Sequence, residues 1–301
     1  MRRWIKPLAR RRISTRCFIV GAPRSGTTLL QTRLAAHPQL TGFAETHLYP
    51  RADGIGVRPE VQAGRSGADV YKAELVALLE ELCDVAGVDA ARVLPILRGR
   101  RVSRLKASFL TCLDTIAVRA GYVGWIEKTP AHVRYIPAIQ RTLPQAVFIH
   151  ILRDGLPVVA SLLDVTARYP KYWGGAPWTL DQCVDVWNRD VETSLAYQGA
   201  PGHRLIPYES FIYETDSYTR NLWRFLQVDP ANSGAPQQVV AFHAIVRGFE
   251  HWKQDAAGPV QRSRNSRVRD VLSPAQIEQA TRRLRYGGRV PIDLRGIGRD
   301  P

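Results

Sequence analysis

The chain has 301 residues, 45% of them hydrophobic and 9% aromatic, which is enough to bury a large core and too apolar for a disordered protein. Its 42 Lys and Arg outnumber its 27 Asp and Glu, giving a net charge of +15 that favours phosphorylated or polyanionic partners, or an acidic membrane surface. No apolar run is long enough to cross a bilayer, so membrane insertion is not expected.

Residues 1–15 read as a basic arm carrying Arg2, Arg3, Lys6, Arg10, Arg11 and Arg12, and residues 16–301 as a single domain. Pro7 and the arginines interrupt any apolar h-region before Phe18, so a secretory signal is not expected and the cytoplasm is the expected location. Cys17, Cys83, Cys112 and Cys183 are widely spaced without a C-x-x-C pair, which points to reduced thiols rather than zinc ligands or disulfides.

The run Phe18-Ile19-Val20 followed by Gly21-Ala22-Pro23-Arg24-Ser25-Gly26-Thr27-Thr28 reads as strand, phosphate-cradling loop and helix. Gly21 and Gly26 have the spacing of a Walker loop, but no lysine precedes the hydroxyls. Arg24 can hold a phosphate or sulfate bidentately, and Thr27 and Thr28 add donors at the positive end of a helix expected over Thr27–Ala36. Beyond it, Glu45 lies in a segment that leads into a Gly-rich stretch to Gly67, expected to be a long surface loop.

Leu75, Leu78, Leu79 and Leu82, then Leu105, Phe109, Leu113 and Ile116, recur at helical spacing between Val70 and Ala120. Trp125 to Pro130 is expected to be a short strand ending in a polar turn, with Lys128 at its end and a helix over Ala131–Leu143 behind it. Ala146 to Leu152 is a nearly continuous apolar run of the kind found inside a parallel sheet, and it stops abruptly at Arg153-Asp154-Gly155. The next helix, with Pro157 in its first turn, carries Ser161, so Arg153 and Ser161 can meet one anion. Further helices are expected over Thr179–Tyr197, Tyr218–Leu226 and Gln237–Val246, with a strand at Arg204–Tyr208 between the first two. Lys253 to Asp270 is expected to be an arginine-rich loop, and Ser273-Pro274 to start the last helix.

Strands alternating with helical crossovers give the fold class α/β, a three-layer, P-loop-like arrangement with a central parallel sheet flanked by helices. Ligands are then expected at the carboxyl ends of the strands, where Arg24, Glu45, Lys128 and Arg153 all fall. A carboxylate such as Glu45 can accept a proton from an attacking hydroxyl, and an ammonium such as Lys128 can neutralise a leaving phosphate.

Pro23 to Thr28, then Glu127-Lys128-Thr129-Pro130, then Arg153-Asp154-Gly155 with Val158 and Ser161, closely resemble the signatures of sulfotransferases that use 3′-phosphoadenosine 5′-phosphosulfate (PAPS), from Phe18 to about Leu226. The resemblance implies that the loop of Arg24, Ser25, Gly26, Thr27 and Thr28 holds the 5′-phosphosulfate, and that Arg153 and Ser161 hold the 3′-phosphate. It implies Tyr208 near the adenine, Glu45 as general base, Lys128 as charge stabiliser, no metal, and PAP as the product. In the late Arg262–Arg269 loop, Arg269 is the one residue carried over to the nucleotide. Tyrosylprotein sulfotransferases are similar around Glu45 to Arg51, but His47 stands where they carry a substrate-contacting arginine, and Gly42 and Ile126 stand where they carry paired cysteines. These departures point away from an acidic peptide acceptor and toward a reduced, soluble compartment; His47 is the alternative base should Glu45 not serve.

The expected function is transfer of a sulfuryl group from PAPS to a hydroxyl-bearing acceptor, with no stable nucleic-acid partner; a homodimer is compatible with the sequence, which does not fix the oligomeric state. Two alternatives stand beside it: a P-loop kinase or NTPase using Asp154 on a metal, and a nucleic-acid-binding protein driven by the basic ends.

Overall fold

Phe18 and Val20 of strand β1 (Thr15–Val20) pack into one hydrophobic cluster, while Cys17 and Ile19 pack into another, so the strand is buried on both faces. The computed structural model describes residues 12–53, 55, 59–232, 242, 244–256, 258 and 266–292. Within them a five-stranded, all-parallel sheet runs in the order β2-β3-β1-β4-β5, with β2 at Leu40–Phe43, β3 at Gly124–Lys128, β4 at Val147–Leu152 and β5 at His203–Pro207. The chain leaves β1 for β2 on one side, then returns past β1 to β4 on the other, which makes the carboxyl end of β1 the switch point where such sheets bind ligands.

Helices cover both faces, giving the three layers. Following β1, α1 (Thr27–Ala35) carries Leu30 and Leu34 against Ile19, Ile126, Ile149 and Ile206. The short α2 (Pro59–Gln62) precedes α3 (Gly67–Ala86) and α4 (Val102–Arg119), which bury their leucines against Phe18, Phe43, Trp125 and Phe148 on the opposite face. Ser66 caps α3 through its side chain and Gly87, at φ 63°, ends it, as the helix-boundary chemistry requires. Next come α5 (Ile136–Thr142), α6 (Gly155–Arg168) and α7 (Leu180–Leu195), then α8 (Tyr208–Tyr213) and α9 (Thr215–Phe225), and finally α10 (Ser266–Val271) and α11 (Pro274–Arg283). Reciprocal capping boxes start α7 at Thr179 and α11 at Ser273, the second where the Ser-Pro pair predicts it. All four cysteines are buried free thiols.

Several boundaries differ from expectation. Strand β2 has only four residues and a glycine inside, so it carries no strand signature of its own; a Cβ on Gly42 would lie 2.5 Å from Ile245 Cγ2, and close packing selects glycine there. The helix expected over Ala131–Leu143 is a 3-10 turn at Pro130–Tyr135 followed by α5, because Pro137 sits in the first turn of α5. The stretch to Gly67 is not a plain loop: it holds a 3-10 turn at Pro50–Ala52 and α2. Likewise Lys253–Asp270 contains the end of a 3-10 turn at His251–Ala256 and the helix α10. Residues 1–11, most of the expected arm, and 233–241 and 243, most of the helix expected at Gln237–Val246, lie outside the described residues.

Candidate active site

The loop Gly21–Gly26 turns the chain from β1 into α1 through three positive φ angles, at Gly21 (141°), Arg24 (70°) and Gly26 (92°). Glycine is required at two of them: a Cβ on Gly21 would sit 2.5 Å from the Ile151 carbonyl oxygen, and one on Gly26 2.5 Å from the Tyr208 ring. Gly26 is also the N-cap of α1, where no side chain caps the helix and no acidic residue occupies the first turn. The first N–H groups and the positive end of the helix dipole are therefore left for a group outside the helix, the arrangement that suits an anion. Ser25 is fully buried beside them, and its Oγ has no hydrogen-bond partner among the described residues.

Arg24 holds left-handed backbone without being glycine, a strain of the kind that collects at functional sites. Its guanidinium donates from Nε to Ser161 Oγ at 2.9 Å, and from both Nη atoms to the Trp252 carbonyl at 3.3 and 3.4 Å. Arg153, delivered by the end of β4, donates from Nη1 to the Arg24 carbonyl at 3.2 Å and lies 4.4 Å above the Tyr208 ring. Trp187 fixes that corner by donating from Nε1 to the Arg153 carbonyl at 2.8 Å. Asp154 accepts from the Val290 amide at 3.3 Å, a use within the fold rather than toward the cavity.

A second group of charges assembles beyond β2 and β3. Glu45 Oε1 accepts hydrogen bonds from Lys128 Nζ and, at 2.7 Å, from Lys253 Nζ, while Oε2 lies 3.1 Å from His47 Nε2. Burial by itself raises the Glu45 carboxyl, but the two ammonium groups and His47 outweigh it and hold the carboxyl well below the usual carboxylate range. Burial draws the Lys128 ammonium down to about 8 against the opposing pull of Glu45. Lys253 is raised despite its burial, because Glu45 and Glu250 both face it.

Glu127, which points to the opposite side of β3 from Lys128, ties this segment down. Its Oε1 accepts from the Thr46 amide at 3.0 Å, from Thr46 Oγ1 at 2.9 Å and from Thr129 Oγ1 at 2.6 Å, and its Oε2 lies 3.0 Å from His132 Nδ1. Thr129 Oγ1 in turn accepts from the His47 amide at 3.1 Å. His47 has φ 48°, so the turn that points its ring at Glu45 is another strained position held by its surroundings.

Both groups line one cavity of about 960 Å³, walled by the phosphate loop, α6, the face of α3 that carries Glu74 and Glu81, and the segments around Tyr172–Trp178 and Arg247–Lys253. Residues 17–232 match the Sulfotransferase family. The chain belongs to that family. Protein-tyrosine sulfotransferase 1 of Danio rerio is 26% identical over 280 residues, covering 92% of this chain and 67% of the relative. The Homo sapiens protein of the same name is 25% identical over 281 residues, covering 92% and 64%. The chain thus spans about two thirds of the length of these curated relatives. The sulfotransferase domain of the Synechococcus PCC 7002 olefin synthase matches the fold with a TM-score of 0.59 at 20% identity, over 93% of this chain and 97% of that one.

In this sulfotransferase, Arg24, Gly26, Thr27, Thr28, Arg153, Ser161 and Tyr208 border the same cavity as Glu45 and His47. Ser25 is the fully buried member of the loop, and Lys128 reaches the site through its bond to Glu45. Arg269 is not brought in: it is exposed on α10, while its neighbours Val268 and Val271 face the cavity. The side chains of residues 262–267 in that loop lie outside those described. Sequence reasoning missed Arg247, Glu250, Trp252 and Lys253, which sit in a segment without periodicity; the spacing of Glu250 and Lys253 by three residues was the single local sign of a pair.

Proposed function

We propose that this sulfotransferase transfers a sulfuryl group from PAPS to an acceptor hydroxyl. The observation that carries the reading is the convergence of Arg24, Ser161 and Arg153 on the uncapped start of α1, where two arginines replace a Walker lysine. The residues present suit the nucleotide: Ser25 Oγ is buried with no hydrogen-bond partner among the described residues, and Gly26 leaves room for the Tyr208 ring against the loop. When bound, PAPS supplies an electrophilic sulfur whose bond to the 5′-phosphate oxygen breaks, the electron pair leaving with PAP, as the acceptor oxygen bonds to it.

The loop amides and Arg24 hold the 5′-phosphosulfate, with Arg24 exchanging its bonds to Ser161 and the Trp252 carbonyl for the ligand. Arg153 and the released Ser161 hold the 3′-phosphate, and Tyr208 packs near the adenine under the Arg153 guanidinium. Lys128 turns from Glu45 toward the reacting group and stabilises the charge that develops there. The acceptor proton goes to the Glu45–His47 pair. Glu45 Oε1 is already engaged by two ammonium groups, and Oε2 faces His47, whose half-exposed ring borders the cavity beside it. These cations provide the charge neutralisation that magnesium gives a kinase, so the scheme calls for no metal.

The curated relatives are named for protein tyrosine, which makes a phenolic hydroxyl the first acceptor to try. Thermal denaturation with PAP, and separately with ATP and magnesium, tests the donor: PAP should raise Tm and ATP with magnesium should leave it within error. A rise with ATP and magnesium alone would return the kinase reading.

A further inference from the structure

Glu45 accepts from two lysines on the same oxygen, and only one of them is needed to explain a cation at the reacting group. Lys253 arrives from the turn His251–Ala256, 208 residues after Glu45 in the chain, and is 8% exposed. Its ammonium also pairs with Glu250 Oε1. Glu250 Oε2 accepts from the Arg247 amide at 2.9 Å, and Arg247 donates from Nη1 to the Glu45 carbonyl at 3.1 Å and from Nε to Glu81 on α3. The second lysine is therefore held in place from its own side of the cavity, independently of Lys128.

Lys128, Glu45, Lys253 and Glu250 form an alternating row of two positive and two negative groups, all buried. Without Lys253, the departure of Lys128 toward a bound ligand would leave the buried Glu45 carboxylate with His47 as its remaining partner, which is a cation only when protonated. The carboxylate would then keep its lysine or take up a proton, and either outcome idles the centre. With Lys253 present, Glu45 keeps a cation when Lys128 leaves, and repulsion between the two ammonium groups eases that departure. We propose that Lys253 is a positioning residue of sulfuryl transfer: it holds Glu45 ionised and in place so that Lys128 is free to turn to the reacting sulfuryl group. The proposal rests on the function proposed above. The same turn carries the Trp252 carbonyl that engages Arg24, so one short segment touches both halves of the site.

The test compares Lys253→Met, Lys253→Gln and Lys253→Arg with the natural protein in three measurements: the Glu45 carboxyl titration by NMR in the protein alone, PAP affinity by calorimetry, and sulfate release from radiolabelled PAPS with water as acceptor. In Lys253→Met the Glu45 titration should rise by about one unit or more. PAP affinity should stay within about threefold, while kcat falls roughly 10- to 100-fold at constant KM and the acidic limb of its pH profile moves upward with the carboxyl. Lys253→Arg should restore most of the rate, and Lys253→Gln carries the same expectation as Lys253→Met should the latter fail to fold. An unmoved carboxyl titration, an unchanged kcat, or PAP affinity falling in step with kcat overturns the proposal. The carboxyl titration needs no donor, so a protein that fails to bind PAP refutes the proposed function while the titration still judges Lys253.

Discussion

Arg153 donates from Nη1 to the carbonyl oxygen of Arg24 at 3.2 Å, joining residues 129 positions apart. The contact ties the Arg153 guanidinium to the backbone of the loop that opens α1, while the Arg24 guanidinium reaches Ser161 and the Trp252 carbonyl. A ligand with two separated anionic groups fits such a pair better than one with a single triphosphate tail.

Removing Arg153 tests that pairing. Arg153→Ala should weaken PAP binding by about 1.5 to 3 kcal/mol, the size of a lost hydrogen bond to a charged group, and Arg153→Lys should recover only part of it because the planar fork over Tyr208 is lost. Calorimetric titration with PAP measures both, and unchanged affinity in Arg153→Ala removes it from the 3′-phosphate site.

Glu45 and His47 should separate from the nucleotide site in the same assay. Glu45→Gln and His47→Asn should each keep PAP affinity within about threefold and slow sulfuryl transfer by about two to four orders of magnitude. The double variant should be little slower than either single one if the two residues act as a unit. Additive losses would mean that they act separately.

Glu127 is expected to be a stability residue first. Glu127→Gln keeps one oxygen for the three donors on Oε1 but removes the charge and puts an NH2 where Oε2 meets His132 Nδ1, and should cost about 1 to 3 kcal/mol in denaturant unfolding. Although burial raises the Glu127 carboxyl, its contacts with His132, Thr129 and Thr46 leave it below the ordinary value. A lowered carboxyl contributes stability that is complete above its ordinary titration range and is lost as pH falls through the folded value. The Gln variant should lack that acidic limb, and a parallel pH dependence in both proteins would contradict the assignment.

His150 and His203 form a buried pair, Nε2 to Nδ1 at 3.0 Å, stacked on Tyr197 and remote from the reaction centre. Burial lowers His150 to about 3, with His203 adding to the effect, and burial lowers His203 to about 4. Both are neutral when folded and take up protons when unfolded, so stability is complete above roughly pH 6.5 and is lost as pH falls below it. For His150 the loss should be on the order of 2 kcal/mol at pH 5. Unfolding free energies at pH 8 and pH 5 should therefore differ less in His150→Phe than in the natural protein. An equal difference in both would show that the pair does not govern acid lability.

The phosphate loop and β4 are legible in the chain because their signals are local: the glycine spacing and Arg24 lie within six residues, and Ala146–Leu152 is an unbroken apolar run. The short β2 and α8 are not, since β2 depends on Ile245 filling the space that Gly42 leaves and α8 is only six residues long. Glu45 and Lys128 could be read as candidate site residues from motif and resemblance, but neither their mutual bond nor the scaffold around Glu127 could.

By itself the sequence determined that a parallel sheet would present an arginine-bearing anion loop and a second arginine at its carboxyl edge, because backbone periodicity and glycine geometry act over a few residues. Which charges meet was decided only by tertiary structure. Lys253 and Glu250 reach Glu45 from a segment with no periodicity of its own, and burial makes their pairing obligatory, since a carboxylate taken out of water needs a cation wherever in the chain it comes from.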